Sequence, residues 1–201
     1  LRRILDDVLD LSKIQAGEMN LVDEPFAPSD TISGAVDLMR PLASEKGLEL
    51  ISRFDGLPTH LMGDAARLRQ IVLNLVSNAI KFTPSGVIRL RAQAPVSEGR
   101  RCLTLTVADQ GAGISAEAMT RLFSPFAQGS AEVARTYGGT GLGLTVSREL
   151  ARLMGGDLTA TSVEGQGATF TLCVDLPPGT PVAPEDASDA APPAPMRRIR
   201  A

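Results

Sequence analysis

The segment from Asp64 to Phe82 is the feature that most constrains how this chain folds. Its apolar side chains recur at helical spacing and share one face: Leu68, Ile71, Val72, Leu75, Ala79 and Phe82. Asp64 precedes the first turn, where an aspartate can cap the free backbone amides. The pattern predicts a long amphipathic helix whose apolar face is buried against the rest of the domain.

Segments of strand character surround this helix without a regular strand–helix alternation. Strands are predicted at residues 20–27, 48–54, 87–93, 102–109, 157–164 and 168–176. Further helices are predicted at 116–122, in a segment that ends near 154, and at 29–46, where Ser29 or Asp30 can serve as the N-cap. An irregular mixture of this kind favours the α+β class, as a two-layer α/β sandwich with one mixed sheet and helices on one face.

The composition narrows the class of protein further. The chain has 201 residues, of which 43% are hydrophobic, and this is enough for one domain with a sizeable core. A net charge of -3 leaves no basic surplus for a nucleic-acid backbone, and aromatic residues that could stack on bases make up only 3%. No apolar run approaches the roughly 18 residues of a membrane-spanning helix. We expect a cytoplasmic domain without nucleic-acid or membrane contact, in a protein whose upstream part is free to be membrane-anchored.

The two ends of the chain differ from its middle. Residues 1–17 form an apolar stripe at or beside heptad a and d positions, before Gly17 ends the helix: Leu1, Ile4, Leu5, Val8, Leu11 and Ile14. The stripe fits either a helix packed on its own domain or the end of a helix in a bundle. Residues 178–201 are rich in proline and alanine and predict a linker. Its last residues, MRRIRA, fit the first strand of another domain or an extension of this one.

The cysteines and the histidine carry no recognisable reactive pattern. Cys102 and Cys173 lie in separate predicted strands, without the paired spacing of a zinc or redox motif. We predict that both are reduced and lie in the core. His60, the only histidine, falls between a predicted strand and the Asp64 cap, where we expect a loop residue.

Three polar residues lie together on the predicted 64–82 helix. Asn74, Asn78 and Lys81 fall within about 60° of one another, along an edge of its apolar face. A carboxamide oxygen is a suitable ligand for a hard cation, and a lysine one turn away can meet a phosphate. The trio therefore suits a Mg-triphosphate site, although a solvated helix edge would also explain it.

Two glycine-rich runs follow. In VADQGAGI (107–114), a strand ends in Asp109, whose carboxylate can accept from an exocyclic amine while the glycines let a flat base approach the backbone. A plain turn or a calcium loop could have the same pattern. GGTGLGL (138–144) leads into a helix, where free amides favour phosphate oxygens. Neither run matches the dinucleotide fingerprint or the Walker sequence.

Taken in order, five segments resemble the N, G1, F, G2 and G3 boxes of the sensor histidine kinase catalytic and ATP-binding domain, a member of the GHKL ATPase superfamily: NLVSNAIKF, DQGAGI, LFSPFAQ, GGTGLGL and GQGATF. The resemblance includes residues 1–17, which are similar to the end of the second dimerisation helix, and a catalytic domain over 18–177. It implies the Bergerat-type fold, ATP and Mg2+ as ligands, and phosphoryl transfer to a histidine on the dimerisation domain. It also implies a homodimeric intact protein that acts on a response regulator or a fused receiver domain.

The resemblance implies roles for individual residues. Asn78 would be the Mg2+ ligand, with Asn74 lining the triphosphate site and Lys81 contacting a phosphate. Asp109 would accept from the adenine amine, in a pocket that two glycines open to the base: Gly111 and Gly113. The second glycine-rich run would surround the phosphates: Gly139, Thr140, Gly141, Leu142, Gly143 and Leu144.

Other segments of the resemblance leave two interpretations open. Thr169 matches a threonine near the adenine in related domains, and a simple hairpin turn explains the same residues. Phe123 and Phe126 resemble the F box, and core phenylalanines would look the same. The lid over the nucleotide would span about 127–138, with two side chains that either contact nucleotide or are exposed: Arg135 and Tyr137.

The resemblance also bears on the reaction. Asn74 occupies the position at which chaperone and DNA-repair relatives have a glutamate that activates water, and an amide cannot accept that proton. His60 lacks the acidic neighbour of the phosphoacceptor motif, so we expect the acceptor upstream of residue 1. Two alternatives stay open: a degenerate nucleotide-binding or interaction module, and a serine kinase of the anti-sigma type.

Overall fold

The computed structural model describes residues 2–97, 100–127 and 141–180. The helices are α1 Arg2–Gln15, α2 Pro28–Glu45, α3 Ala65–Phe82, α4 Ala116–Arg121 and α5 Gly143–Leu153. The strands are β1 Glu24–Phe26, β2 Leu48–Asp55, β3 Leu61–Gly63, β4 Gly86–Gln93, β5 Val96–Ser97, β6 Arg100–Ala108, β7 Asp157–Val163 and β8 Gly167–Asp175.

The main sheet has the strand order β2-β4-β6-β8-β7. β2 runs parallel to β4, and the other neighbours along this path are antiparallel, so the sheet is mixed as the sequence predicts. β5 pairs with the beginning of β6, and β1 forms a separate two-stranded ladder with β3. The predicted α+β sandwich is thereby confirmed.

The core lies between one face of this sheet and the helices α2, α3 and α5. Alternate residues of the strands are buried there, including Leu105, Leu172 and Val174, and they meet Leu75 and Leu150 from the helices. The closing hairpin confirms the predicted alternation, since all five residues that share its inner face are buried: Ala168, Phe170, Leu172, Val174 and Leu176.

Two local predictions need correction. Helix α2 begins at Pro28 with Ala27 as N-cap and without a side-chain cap, so neither Ser29 nor Asp30 fills that position. Proline at the first helical position has a backbone angle already suited to the helix, which moves the start forward. The strand predicted over residues 20–27 is also shorter, because only Glu24–Phe26 pairs with β3.

The prediction of two reduced core cysteines is wrong. Cys102 and Cys173 are joined by a disulfide, with their Cα atoms 6.2 Å apart. Both residues alternate with buried neighbours, so they lie on the outer face of β6 and β8, where Cys173 is exposed. Register explains the pairing: Cys173 is opposite Thr104 and Cys102 is opposite Asp175, so the two cysteines are diagonal neighbours on adjacent strands.

Helix α1 packs on the rest of the domain through one of its faces. Leu11 is buried, and the Asp10 carboxylate accepts from Gln70 Nε2 at 2.8 Å and from Arg67 Nη1 at 3.3 Å on α3. A second apolar face of α1 is exposed and consists of Leu5, Val8 and Leu9. Ile14, also in the predicted stripe, is partly buried and packs against the core, whereas the side chains of Leu1 and Ile4 lie outside the described part of the chain.

The described chain ends against β3. The Met62 amide donates to the Pro177 carbonyl at 2.8 Å, and the Gly179 amide donates to the His60 carbonyl at 3.1 Å. Leu61 forms an isolated antiparallel bridge with Pro178, so the ordered contacts extend past residue 177 into the predicted linker. His60 lies in a loop, as predicted. Residues 181–201 of that linker lie outside the described residues.

Candidate nucleotide-binding site

Helix α3 carries the three polar residues, and Asp64 caps it as predicted, with Oδ1 accepting from the Arg67 amide at 3.0 Å. Asn74 is buried rather than at a solvated edge, with 6% of its surface exposed. Its Nδ2 donates to the Ser147 hydroxyl of α5 at 3.0 Å. A Cβ added at Gly143 would lie less than 3.0 Å from the Asn74 amide oxygen. Asn74 therefore joins α3 to the beginning of α5.

Asn78 and Lys81 lie farther along α3, and both are half-buried. The Lys81 ammonium is 4.6 Å from the centroid of the Phe82 ring. Phe82 was predicted to complete the buried face of the helix, but it is 36% exposed. The last buried residues of the helix are Ala79 and Ile80, so its apolar face ends before Phe82.

Asp109 follows the last residue of β6 and is held by backbone amides. Its Oδ1 accepts from the Gly111 amide at 2.8 Å and from the Ala168 amide at 3.3 Å. Burial raises the pKa of this carboxyl above its usual value, and the two backbone hydrogen bonds oppose that rise. The carboxylate is thus partly desolvated and fixed in direction between β6 and β8.

The glycines beside Asp109 allow close contact between backbone segments. An added Cβ at Gly111 would lie 2.5 Å from the Phe82 carbonyl oxygen, at the end of α3. Gly113 has φ +69, and its added Cβ would lie 2.9 Å from the Val163 carbonyl carbon. These positions need glycine because the loop is pressed between the end of α3 and the β7–β8 turn.

The second glycine-rich run is described only from Gly141 onward, so Gly139 and Thr140 lie outside the described residues. Gly141 has φ +69 and packs on the backbone of Phe126, with an added Cβ 2.8 Å from its carbonyl carbon. Leu142 is the N-cap of α5, makes no side-chain cap and is buried. Gly143 begins the helix, and Leu144 is a partly buried residue that packs against the core.

The segment before the predicted lid is anchored to α5. Thr145 donates its hydroxyl to the Phe123 carbonyl at 3.1 Å, and the Arg148 guanidinium lies 4.7 Å from the centroid of the Phe123 ring. Arg148 also donates to both carboxylate oxygens of Asp157, at 2.8 and 3.0 Å. This hydrogen-bonded ion pair lowers the pKa of Asp157 to about 2.

The two F-box phenylalanines differ in environment. Phe123 is partly buried and packs against the core. Phe126 is 67% exposed and has φ 60, so it is not a core residue. The segment predicted as a lid, including Arg135 and Tyr137, lies almost entirely outside the described residues.

Thr169 lies on β8, opposite Ala108 of β6 and Thr161 of β7. It alternates with the buried Ala168 and Phe170, so its side chain is directed to the outer face of the sheet. The group of this segment that reaches the Asp109 carboxylate is the Ala168 backbone amide.

A cavity of about 430 Å³ lies between α1, α2, α3 and α5. Its lining includes Asn74 and Ser77 from α3 and Gly143 and Ser147 from α5. Asp7 of α1 also lines it. The cavity thus reaches the Asn74 end of the site and not the Asp109 end.

The side chains available as metal ligands limit how a metal could bind. Within the described ranges, no cluster of three or more histidine, cysteine, aspartate or glutamate side chains could hold an ion. The carboxamide of Asn74 lies beside the start of α5, and α3 presents a second carboxamide, that of Asn78, about one turn farther along. This fits Mg2+, which binds through one or two protein ligands together with substrate phosphates and water, and does not fit zinc.

Together, these features define an α/β sandwich with two polar sites along α3. The buried Asn74 side chain packs on the start of α5, and the partly desolvated Asp109, at the end of β6, lies near the end of α3. A family model described as "Histidine kinase-, DNA gyrase B-, and HSP90-like ATPase" matches residues 63–178, which is more than half of the chain. The chain belongs to this family.

Known proteins narrow the class within the family. The chain is 39% identical over 199 residues to the autoinducer 2 sensor kinase/phosphatase LuxQ of Vibrio parahaemolyticus, a match that covers 96% of this chain and 23% of that protein. It is 38% identical over 178 residues to the signal transduction histidine-protein kinase BarA of Escherichia coli, covering 88% and 19%. The chain therefore spans less than a quarter of the length of these relatives.

A solved structure agrees with these relatives. Full-length ShkA in complex with AMPPNP has a TM-score of 0.76 and 32% identity, with 89% of this chain and 36% of that chain covered. The chain is thus an ATPase-type catalytic domain of the histidine kinase kind, and this confirms the resemblance read from the five motifs. Among the described residues, no helix is long and apolar enough to span a membrane.

Proposed function

We propose that this domain binds Mg-ATP and transfers its γ-phosphoryl group to a histidine on a dimerisation domain of a two-component sensor kinase. The observation that carries the proposal is that α3 touches both glycine-rich segments. Gly143 packs on Asn74, and Gly111 packs on the Phe82 carbonyl eight residues later. At the rise of an α-helix, the two contacts are about 12 Å apart along the axis. A phosphate end and a base end are thereby held on one rigid element.

At the base end, Asp109 accepts from the adenine amine. Both backbone hydrogen bonds to the Asp109 carboxylate end on Oδ1, so Oδ2 is the oxygen that would accept a hydrogen bond from a ligand. Gly111 and Gly113 keep side chains away from this loop. Thr169 acts on the base end indirectly. Its pairing with Ala108 holds β8 in place, and the neighbouring Ala168 amide orients the Asp109 carboxylate.

At the phosphate end, the N-terminus of α5 favours oxyanions through its free amides. Gly139, Thr140, Gly141, Leu142, Gly143 and Leu144 form the phosphate loop in this proposal. Lys81 adds a positive charge one turn beyond Asn78. Asn78 would hold Mg2+ through its carboxamide oxygen, and a bound metal would supply charge neutralisation for the phosphoryl oxygens.

Asn74 favours transfer over hydrolysis. Its Nδ2 donates to the Ser147 hydroxyl, and a carboxamide has no basic atom that could accept a proton from water. The domain then contributes positioning and charge neutralisation to an in-line transfer, and the histidine acceptor belongs to the dimerisation domain. The single histidine of the chain, His60, lies at β3 instead.

The exposed apolar face of α1, formed by Leu5, Val8 and Leu9, supports the assignment of residues 1–17 to the end of a dimerisation helix. In this proposal the intact protein is a homodimer, the domain is cytoplasmic, and residues 178–201 lead towards a receiver domain. A response regulator or that receiver domain accepts the phosphoryl group.

Calorimetric titration tests the proposal. ADP and a non-hydrolysable ATP analogue are titrated into the 201-residue chain with and without Mg2+, and GDP serves as the control for base selectivity. We expect adenine-selective binding that Mg2+ strengthens. Absence of binding would refute the nucleotide site and favour an interaction module, whereas equal binding of ADP and GDP would refute the role of Asp109.

A further inference from the structure

Lys46, a residue at the end of α2, lies against the far end of α3. Its backbone is fixed as the C-cap of α2, with the amide donating to the Ala43 carbonyl, and Gly47 then turns the chain into β2. The Lys46 Nζ donates to the carbonyl of Ile80 at 2.6 Å, of Lys81 at 2.8 Å and of Thr83 at 3.1 Å.

These three bonds satisfy carbonyls that a helix leaves without intrahelical partners at its C-terminus. The neighbouring Ala79 carbonyl accepts from the Thr83 hydroxyl at 2.6 Å, so the end of α3 is closed by two side chains. A lysine ammonium has three donors, and its charge opposes the negative end of the helix dipole. One side chain from another helix therefore sets the position of this end.

The same end of α3 supports the loop that carries Asp109. The carbonyls that Lys46 binds flank the Phe82 carbonyl, on which Gly111 packs so closely that an added Cβ would be 2.5 Å away. Gly111 in turn donates its amide to Asp109 Oδ1 at 2.8 Å. The contacts form a continuous path from Lys46 through the end of α3 to the carboxylate.

We propose that Lys46 is a positioning residue for the base end of the nucleotide site: it fixes the end of α3 on which the Gly111 loop rests, and so sets the direction of the Asp109 carboxylate. The inference rests on the proposed function for its effect on nucleotide, but its effect on the loop is independent of ligand. In this proposal the Lys46 side chain does not touch the nucleotide itself.

The test compares Lys46→Met, which keeps the length of the side chain and removes the donors, with Lys46→Arg, which restores donors and charge. Lys13→Met removes a lysine from the exposed side of α1, and Val174→Ala lowers stability from a buried position at the other end of the sheet. Calorimetry gives the affinities for ADP and GDP, and amide hydrogen exchange without nucleotide reports on residues 80–83 and 109–113.

We expect Lys46→Met to weaken ADP binding about fivefold, because a loop that is no longer held in the free protein must be ordered when nucleotide binds. The preference for ADP over GDP should shrink, and exchange should accelerate at residues 80–83 and 109–113 more than elsewhere. Lys46→Arg, which keeps the charge but presents its donors in a planar group, should recover part of the lost affinity. Lys13→Met and Val174→Ala should leave the ADP/GDP ratio unchanged.

Two results would overturn the inference. One is wild-type ADP affinity in Lys46→Met, and the other is accelerated exchange spread over the chain in the pattern of Val174→Ala, which would make Lys46 a general stabilising residue. If the unmutated chain binds no ADP, the proposed function fails, and the exchange data alone decide: unchanged protection at 80–83 and 109–113 in Lys46→Met refutes positioning.

Discussion

Asp109→Asn separates the binding role of this residue from its place in the fold. The amide oxygen of asparagine can take the position of Oδ1 and keep the hydrogen bonds from Gly111 and Ala168. The Nδ2 group then replaces Oδ2 and presents donors where the proposal requires an acceptor. We expect a folded protein that has lost its preference for adenine.

The direction of the pKa shift predicts the effect on stability. The pKa of Asp109 is raised by burial in the folded state, so the folded protein binds this proton more tightly than the unfolded chain does. Stability therefore falls as the pH rises from the usual value of 3.8 through the raised value, and the whole penalty is present above that raised value. Asparagine has no such penalty, so the free energy of unfolding at pH 7 should be unchanged or slightly higher.

The effect on affinity follows from the lost acceptor. A hydrogen bond to a charged group contributes about 1.5–3 kcal/mol, so ADP should bind roughly 10- to 150-fold more weakly. Binding of GDP should not fall, because the new amide can donate to the O6 acceptor of guanine. The assay is calorimetric titration with both nucleotides at pH 7, together with urea unfolding of each variant.

Asp37→Asn is the matched control, since it makes the same change on the exposed side of α2, where the side chain is 64% exposed. It should alter neither affinity nor base selectivity. Wild-type ADP affinity in Asp109→Asn would refute the assignment of Asp109 to the adenine amine. A collapse of stability would refute the reasoning about its burial.

The remaining predictions concern three other positions. Gly167→Ala should lower the free energy of unfolding by about 2–4 kcal/mol, because Gly167 has φ +96 and an added Cβ would lie 2.9 Å from the Asp109 carbonyl carbon; a wild-type urea midpoint would contradict this. Asn78→Asp should change the Mg2+ dependence of ADP binding by placing a charge at the metal, and an unchanged dependence would remove Asn78 as a ligand. Asp157→Asn should cost about 1 kcal/mol at pH 7 after solvent screening. The folded-state pKa of Asp157 is lowered to about 2, so its contribution to stability is fully present above pH 3.8 and is lost as the pH falls through 2. The difference in stability between Asp157→Asn and the parent should therefore vanish at the lowest pH.

The fold was predictable because its signals are local. The helical period of 65–82 and the alternation of 168–176 each identify a buried face, and the mixture of elements identifies the sandwich. The burial of Phe82 and the N-cap of α2 were assigned wrongly, because the first depends on packing between elements and the second on how proline fits the first turn. Cys102 and Cys173 required the register of β6 against β8, which no local pattern contains.

The site was predictable in its residue types but not in its internal contacts. The spacing of Asn74, Asn78 and Lys81 and the position of Asp109 at a strand end predict ligand-binding chemistry, and whether these residues contact nucleotide is still a prediction. The hydrogen bond from Asn74 to Ser147 was missed, although Gly143 and Ser147 stand four residues apart and so share a face of α5. Lys46 was missed because its partners are backbone carbonyls, which leave no trace in the sequence.

These contacts explain how α3 tolerates two asparagines in its middle. Each asparagine costs up to about 0.7 kcal/mol of helix propensity relative to alanine, because its side chain competes for backbone hydrogen bonds. Asp64 closes the N-terminus, with Oδ1 accepting from Arg67 and Oδ2 from the Val22 amide at 3.2 Å. Lys46 closes the C-terminus. Both charges have the sign that the helix dipole favours, and the apolar face between them is buried. Since the ends and the face hold the helix, the residues along its polar edge are free to be chosen for a ligand rather than for helix formation.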